Sequence, residues 1–140
     1  MDGGKENDYL FGGIGFDSIY GGEGDDKLFR QGDNDILSGW YGYDTLTGGA
    51  GADQFVFFEY QEQPDHITDF EQGIDKIVIH SHGFKDTFSS NRFTYSPGTG
   101  EVSFIKTIPV TGIDDFQTIA VIDNHAQFST LAFIDLIITD

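Results

Sequence analysis

The sequence predicts an all-β chain that begins as a stack of short repeating units and ends in antiparallel strands. The first observation behind this prediction is a nine-residue period over residues 3–56, with glycines at turn positions and an apolar residue at the same position of every unit. The second is a change of composition, because 14 of the 19 glycines lie in residues 1–56 and 10 of the 14 phenylalanines lie after them. We therefore divide the chain into a repeat region, residues 1–56, and a C-terminal region, residues 57–140.

The repeat region consists of six units that follow one another without a gap. In order, they are GGKENDYLF (3–11), GGIGFDSIY (12–20), GGEGDDKLF (21–29), RQGDNDILS (30–38), GWYGYDTLT (39–47) and GGAGADQFV (48–56). The sixth residue of a unit is always an aspartate, namely Asp8, Asp17, Asp26, Asp35, Asp44 and Asp53. The eighth is always apolar, namely Leu10, Ile19, Leu28, Leu37, Leu46 and Phe55. Six matches at both positions are hard to obtain by chance.

Each part of the unit has a structural reason. Glycine adopts backbone angles that are barred to other residues, so the first six residues can form a tight turn with inward-pointing carbonyl groups. The last three form a short strand whose middle residue points to one side and whose neighbours point to the other. A single unit cannot bury its one apolar residue, whereas stacked units can, with strands about 4.8 Å apart.

Stacking also brings the aspartates of successive units together, and carboxylates of equal charge repel each other. A divalent cation between the turns removes this repulsion and uses the carbonyl oxygens as further ligands. A flexible cage of about six to eight hard oxygen ligands is typical of calcium rather than of magnesium or zinc. One copy of such a motif is better interpreted as a disordered linker with solvated aspartates, but six copies in register favour calcium.

The unit GGEGDDKLF (21–29) has the pattern GGxGxDxUx, where U is apolar, and the sequence thereby resembles the repeats-in-toxin (RTX) modules of serralysin-type proteases, secreted lipases, mannuronan epimerases and large adhesins. The resemblance extends more loosely to about residue 80, because GADQFVF (51–57) and PDHITDFEQGIDKIVI (64–79) are similar to the serralysin C-terminal region. It implies a parallel β-roll, that is, a calcium-stapled right-handed β-solenoid with two units in each coil.

In such a roll each unit stacks on the second unit after it. We call the turns of units one, three and five the odd edge and those of units two, four and six the even edge. The resemblance implies that an ion binds carbonyls two and four and the aspartate of one turn, together with carbonyls one and three and the aspartate of the next. On the odd edge it implies a site of Gly22, Gly24, Asp26, Gly39, Tyr41 and Asp44, another of Gly4, Glu6, Asp8, Gly21, Glu23 and Asp26, and a further one of Trp40, Gly42 and Asp44 closed by Glu59 and Asp65.

On the even edge the implied sites are Gly13, Gly15 and Asp17 with Arg30, Gly32 and Asp35, and Gln31, Asp33 and Asp35 with Gly48, Ala50 and Asp53. Unit four departs from the pattern, because Arg30 and Gln31 stand at two glycine positions, although Asp33 adds a carboxylate. Trp40 and Glu6 also replace glycines, in units five and one. We expect about three to five calcium ions, and the edge that we expect above all to be filled is the odd edge.

The C-terminal region has the pattern of ordinary antiparallel β structure. Its strand-like runs are QFVFF (54–58), KIVIH (76–80), NRFTYS (91–96), EVSFIK (101–106) and QTIAVID (117–123), and SPGTG (96–100) is a turn signal that joins two of them as a hairpin. We expect a small antiparallel β-sandwich that caps the open end of the roll, since a bare end exposes core and unpaired strand edge. Periodicity leaves a short helix at residues 126–134 open.

The sequence contains no catalytic motif. No histidine lies in an HExxH motif and no serine in a GxSxG elbow. His80 and His82 share a strand face and could bind a transition metal, although a surface or packing role is the simpler interpretation. Aspartates committed to calcium are poor acids and bases. We expect no active site in this chain, while a catalytic domain upstream in a longer parent protein stays open.

The composition limits the partners. The chain has 24 Asp and Glu against 7 Lys and Arg, a formal net charge of -17, which disfavours nucleic acid and anionic membrane surfaces. It has no cysteine for disulfides or thiolate metal sites. No apolar run reaches the roughly 20 residues of a membrane span, and the N-terminus lacks the layout of a cleavable signal peptide.

The final residues, FIDLIITD (133–140), indicate a different export route. Asp135 precedes three apolar residues, which resembles the uncleaved terminal signal of type I secreted proteins, although two further residues follow. A final core strand is the alternative, and both can hold.

Three functions remain. The first is a calcium-dependent folding module that supports type I secretion of a secreted, extracellular or cell-surface protein. The second is a polysaccharide-binding or adhesin module, whose sugar-stacking side chains would be Tyr20, Trp40, Tyr41 and Tyr43. The third is the C-terminal piece of a secreted protease, lipase or epimerase.

Overall fold

The computed structural model describes residues 1–58, 63–80, 93–107, 114–123 and 135–139, which contain thirteen β-strands. In chain order they are β1 (Asp2–Lys5), β2 (Tyr9–Phe11), β3 (Ser18–Glu23), β4 (Lys27–Phe29), β5 (Ile36–Tyr41), β6 (Thr45–Thr47), β7 (Gln54–Phe58), β8 (Asp65–Ile67), β9 (Lys76–His80), β10 (Phe93–Ser96), β11 (Glu101–Thr107), β12 (Asp114–Ile122) and β13 (Asp135–Thr139). Among these residues no helix is long and apolar enough to cross a membrane.

The strands form two sheets, and the repeat units alternate between them. The first sheet has the order β1-β3-β5-β7-β9-β13, and the second has the order β10-β11-β12-β8-β6-β4-β2. Each repeat strand pairs in parallel with the strand of the second unit after it, as in the pairs Leu10 with Leu28 and Ile19 with Leu37. Two units therefore make one coil, which confirms the parallel β-roll.

The apolar residues at position eight form the core of the roll as two stacked rows. One row pairs Leu10, Leu28, Leu46 and Ile67, and the other pairs Ile19, Leu37, Phe55 and Ile77. All of these side chains are buried, and only Leu10, at the end of its row, keeps 9% of its surface exposed. Burying a side chain of this size stabilises a fold by about 1.5–3 kcal/mol, so the rows account for the nine-residue spacing of apolar residues.

Two of the predicted antiparallel strands are parallel instead. The runs QFVFF and KIVIH form β7 and β9, which pair in parallel with each other, while β7 also pairs with β5 and β9 with β13. Both strands bury their three central residues, including Val56 and Val78. Continuous apolar runs that are buried on both faces are typical of parallel sheets, so the antiparallel interpretation of these two runs was wrong.

The predicted hairpin at SPGTG is confirmed. Strands β10 and β11 are antiparallel, with Ser96 opposite Glu101, and the turn is closed by the Gly100 N–H, which donates to the Ser96 carbonyl over 2.7 Å. Strand β11 pairs with β12 in the same antiparallel way.

The described C-terminal strands extend the sheets of the roll. Strand β12 pairs in parallel with β8 in the second sheet, and β13 pairs in parallel with β9 in the first. Their buried residues, among them Val102 and Ile122, belong to the same apolar cluster as the rows of the roll. A separate sandwich cap is not confirmed, and the possible helix at 126–134 lies outside the described residues.

Candidate calcium-binding edges

The turns of the roll have a repeated left-handed backbone. Positive φ angles occur at the second and fourth positions of every unit with one exception, Gln31. Three of these positions hold residues other than glycine, namely Glu6 with φ 89°, Asp33 with φ 71° and Trp40 with φ 78°. Each such residue has a conformational cost of about 1–2 kcal/mol that glycine avoids, which explains the second and fourth glycines of the pattern.

Close stacking of the coils is a second reason for these glycines. A Cβ atom on Gly42 would overlap the carbonyl oxygen of Gly24, and a Cβ atom on Gly22 would overlap that of Gly4. The carbonyl groups of one turn therefore lie directly against the backbone of the next turn. This places main-chain oxygens in the gaps between coils, as the calcium interpretation requires.

The aspartates at position six form one ladder along each edge. In both ladders the backbone N–H of one aspartate donates to Oδ1 of the aspartate in the next coil, over 2.7–3.2 Å. The odd edge carries the series Asp8, Asp26, Asp44 and Asp65, and the even edge carries Asp17, Asp35, Asp53 and Asp75. Stacking thus brings the predicted carboxylates together, coil by coil.

The second oxygen of the inner aspartates is buried and has no hydrogen-bond partner. This is true of Oδ2 in Asp26, Asp35, Asp44 and Asp53, all of which are at most 1% exposed. In three units that oxygen lies against the position-one glycine of the same unit, where a Cβ atom would overlap it; these glycines are Gly21, Gly39 and Gly48. A buried carboxylate oxygen without a partner is costly, so each one calls for a positive charge.

Burial changes the acidity of these groups in the expected direction. Removal from water raises the pKa of Asp26, Asp44 and Asp53, and neighbouring aspartates add to the effect. The same cause raises the pKa of Asp75 to about 6. In the absence of a cation, burial and mutual repulsion therefore destabilise the ionised form of these aspartates.

The donor set fits calcium. Of the residues that the structure describes, no three His, Cys, Asp or Glu side chains cluster as a metal site would require, so backbone carbonyls have to complete any coordination shell. Aspartate oxygens together with main-chain carbonyls are hard oxygen ligands, which suit calcium. The unpartnered Oδ2 atoms of both ladders are the observation on which this fit rests.

The residues predicted for the odd edge lie where the repeat register expects them. Gly4 pairs with Gly22 and Glu23 with Tyr41 across successive coils, so the turns that carry these residues are adjacent. The Glu23 side chain forms an exposed ion pair with Lys5 over 3.1 Å. Asp65 is buried and its Oδ1 accepts from the Asp44 N–H, whereas Glu59 lies outside the described residues.

The even edge differs at unit four. The Arg30 side chain is buried and points toward unit two, where its Nη1 lies 2.5 Å from Oδ2 of Asp17. The Asp33 carboxylate accepts from the Gly15 N–H over 3.0 Å. The neighbouring predicted positions Gly32 and Ala50 form single parallel bridges between coils, the first with Ile14 and the second with Gly32.

The sequence analysis did not predict two aspartates at the even edge. Asp75 continues the even ladder, and its own N–H donates to the Glu71 carbonyl over 2.9 Å, so the ladder ends there. Asp69 accepts from the N–H groups of Gly48 and Gly49. The signal for Asp75 was present, because Asp75-Lys76-Ile77 repeats the Asp-x-apolar tripeptide of every unit.

Side chains at position five form a second set of cross-coil bonds. The Asp25 N–H donates to Asn7 Oδ1, the Tyr43 N–H donates to Asp25 Oδ1, and the Ala52 N–H donates to Asn34 Oδ1. These exposed bonds connect coils without a cation. No periodic signal marks them, since position five varies between units.

Comparison with known proteins agrees with this geometry. Residues 2–37 and 31–56 match the family model of the RTX calcium-binding nonapeptide repeat, in four copies. A similar solved structure is the solution structure of the AlgE6R3 subunit from the Azotobacter vinelandii mannuronan C5-epimerase, with a TM-score of 0.64 and 23% identity over 96% of this chain and 80% of that chain. No curated protein matches the chain.

Fold and site together define the class of protein: a parallel β-roll with stacked carboxylate ladders. Its repeat region matches the RTX calcium-binding nonapeptide repeat. The likeness to the epimerase subunit concerns the fold, and the serralysin-like character of the C-terminal region stays a prediction.

Proposed function

We propose that this chain is a non-catalytic calcium-binding module that folds when it meets extracellular calcium and so supports the export and stability of a secreted protein. The observation that carries this proposal is the set of buried, unpartnered Oδ2 atoms on the inner aspartates of both ladders. Calcium would supply the positive charge that these oxygens lack. The ligands would be the residues predicted from the sequence for the two edges, together with the backbone carbonyls of their turns.

The chain's own charges support a coupling between folding and calcium. With 24 acidic against 7 basic residues, the coils repel one another when the ladders are unneutralised. Sites of extracellular type bind calcium at roughly 10⁻⁴ to 10⁻³ M, well above cytosolic concentrations. Because binding favours only the folded state, the calcium concentration becomes a folding free energy. An unfolded chain inside the cell can be threaded outward and then folds at the exit.

Type I secretion is the export route that this proposal favours. The resemblance of the last residues to a terminal secretion signal supports it, and β13 (Asp135–Thr139) also pairs with β9 as a strand of the first sheet. The segment can act as a secretion signal while it is unfolded and as a core strand after folding, so the two interpretations are compatible. Deletion of residues 133–140 should abolish export by a type I system and leave cytosolic expression intact, and unchanged export would contradict this assignment.

The proposed coupling is tested by circular dichroism during a calcium titration, with magnesium as the control ion. We expect strand signal to appear in the millimolar range with calcium and to stay low with magnesium. Asp26→Ala should raise the calcium midpoint far more than Asp135→Ala, a matched loss of one aspartate in β13. A chain that is equally ordered after complete chelation, or equal effects of the two substitutions, would contradict the proposal.

A groove on the first sheet favours polysaccharide binding as a second function. Its volume is about 520 Å³, and its walls include Tyr20, Trp40 and Tyr41 beside acidic Asp2 and Glu23. Aromatic rings stack on sugar rings, and the similar epimerase subunit comes from an enzyme named for mannuronan. Lys5 also lines the groove, where it pairs with Glu23, and calcium would have to bridge the remaining acidic charge to an anionic chain.

Polymannuronate binding at saturating calcium, measured by calorimetry, tests this second function. Tyr20→Ala should weaken binding at least about fivefold, which corresponds to about 1 kcal/mol. Tyr9→Ala is the matched control, because Tyr9 is equally an exposed tyrosine but lies on the second sheet. Polymannuronate binding that is unchanged in both variants would exclude the groove as the polysaccharide-binding site.

A further inference from the structure

Unit four has the only arginine at a position that the pattern assigns to glycine. Arg30 occupies position one, yet its side chain is only 1% exposed, and it reaches back into unit two. A Cβ atom on Gly12, which is position one of unit two, would overlap the Arg30 guanidinium. At the position-one glycines of units three, five and six, the overlapping group is instead the carboxylate of the unit's own aspartate.

The guanidinium is held by two aspartates of the even ladder. Its Nη1 lies 2.5 Å from Oδ2 of Asp17 and 3.9 Å from Oδ1 of Asp35. The Nη1–H and Nε–H groups are not aligned with any acceptor, so charge rather than directed hydrogen bonding carries the contact. A buried guanidinium needs an anionic partner, and these two carboxylates provide it.

The backbone of unit four departs from the other units in the same place. Gln31 lacks the positive φ angle that every other second position adopts. The Asp33 carboxylate also reaches back to unit two, where it accepts from the Gly15 N–H. Two side chains of unit four therefore fill and bridge the gap to unit two, while no cationic side chain enters the gap between units three and five among the described ion pairs.

We propose that the Arg30 guanidinium takes the place of a calcium ion in the gap between units two and four, and that this gap binds no calcium. The inference rests on the proposed calcium-binding function, because it assigns a different cation to one of its gaps. A guanidinium and a divalent ion in one small gap would repel each other strongly at low dielectric. The Oδ2 atom of Asp17 is already paired with Arg30, and the Asp17 side chain is 41% exposed, so it lacks the buried, unpartnered oxygen of the inner aspartates.

Two consequences distinguish this gap from the others. Its cation is covalently part of the chain, so the attraction between units two and four in the folded state does not depend on calcium. Glycine is required at position 12 to admit the guanidinium, not to bind metal. The chain then needs one ion fewer than a regular roll of the same length.

The ion count of the Arg30→Gly variant tests the proposal. This substitution restores the glycine of the pattern and opens Asp17 and Asp35 to a metal ion. Native mass spectrometry and calorimetry with calcium should give one more bound ion than in the parent chain. Lys27→Gln is the matched control, because it removes one positive charge from an exposed strand position and should leave the count unchanged.

An unchanged count in an Arg30→Gly variant that folds with calcium would overturn the proposal while leaving the proposed function standing. Absence of any bound calcium in the parent and in the variant would overturn both. A gain of one ion in Lys27→Gln as well would also contradict it, since net charge rather than the opened gap would then explain the gain.

Asp17→Asn provides a second test should Arg30→Gly fail to fold. If Asp17 partners Arg30, this variant keeps the parent's ion count and loses thermal stability at saturating calcium. Asp8→Asn, the corresponding change at the first aspartate of the odd ladder, should lose one ion. Loss of one ion in Asp17→Asn would show that Asp17 ligates calcium and would overturn the proposal.

Discussion

The two edges of the roll are made from the same nine-residue pattern, yet they differ in how their turns continue the sheets. On the odd edge, β3 and β5 run without interruption through the first three positions of units three and five. On the even edge, the corresponding positions form only single bridges at Ile14, Gly32 and Ala50. Both edges carry an unbroken aspartate ladder, so the ladder does not depend on the regularity of the turn.

Unit four shows that Arg30 can change the chemistry of an edge without interrupting the aspartate ladder of that edge. The even ladder passes through unit four with bonds of 2.8 Å on either side of Asp35, although Arg30 and Gln31 replace two glycines there. The apolar row behind it is equally undisturbed, since Leu37 is fully buried. Stacking is therefore maintained by positions six and eight, while positions one and two determine which cation fits the gap.

The largest effect is expected where one coil stacks on the coil before it. Alanine at Gly42, in an inner coil, and at Gly13, in the first coil of its edge, compares the two situations. Gly42 has a φ of 138° and no space for a Cβ atom, whereas Gly13 has a φ of 87° and nothing within 4 Å. Gly42→Ala should destabilise the calcium-bound chain by about 2–5 kcal/mol, and Gly13→Ala by about 1–2 kcal/mol. Chemical denaturation at saturating calcium measures both, and equal losses would contradict the close stacking of an inner coil on the coil before it.

A smaller contrast is expected between Asp44→Asn and Asp35→Asn. Asparagine keeps the Oδ1 acceptor of the ladder but removes the charge, so each variant reports on the unpartnered Oδ2. Asp44→Asn should raise the calcium midpoint about tenfold, which corresponds to about 1.4 kcal/mol. Asp35→Asn should raise it less, because Arg30 already provides a positive charge nearby. A larger shift for Asp35→Asn in the calcium titration would reverse our ranking of the edges.

The position-five bonds should matter equally on both edges and independently of calcium. Asp25→Ala and Asn34→Ala each remove the acceptor of one exposed cross-coil bond, to Tyr43 and Ala52 respectively. Each should lower the free energy of unfolding by about 0.5–1 kcal/mol with little change in calcium midpoint. Asp25→Asn keeps an acceptor and is the control. A tenfold change in midpoint for Asn34→Ala would mean that this position belongs to a metal site.

The smallest effect is expected from pH in the absence of calcium. Burial raises the pKa of Asp75 from its ordinary value of 3.8 to about 6, so the folded state binds protons more tightly than the unfolded state. The stabilisation from protonation is complete below pH 3.8 and is lost as the pH rises through 6. The chelated chain should therefore show more strand signal at pH 5 than at pH 7.5. Asp75→Asn should reduce this difference in strand signal. A stronger strand signal at pH 7.5 than at pH 5 would contradict the expected pH dependence of stability.

Much of the roll was predictable because its requirements recur in every unit. The positions of the aspartates and of the apolar residues follow from the period, and the structure places them in two ladders and two buried rows. The continuation to Asp65 and Asp75 was less visible, because the cross-coil spacing changes from 18 residues to 21 and 22. Strand direction after residue 56 was not predictable, since a buried apolar run such as KIVIH fits either pairing.

The sequence by itself determined that this chain stacks in nine-residue units, because turn geometry and the burial of one apolar residue are local demands that each unit repeats. Only the tertiary structure decided that Arg30 points into the gap between units two and four and pairs with Asp17. It also decided that β7 and β9 join a parallel sheet and that β12 and β13 extend the roll. These outcomes depend on contacts between residues far apart in the chain, and a local pattern carries no information about which distant group will lie opposite.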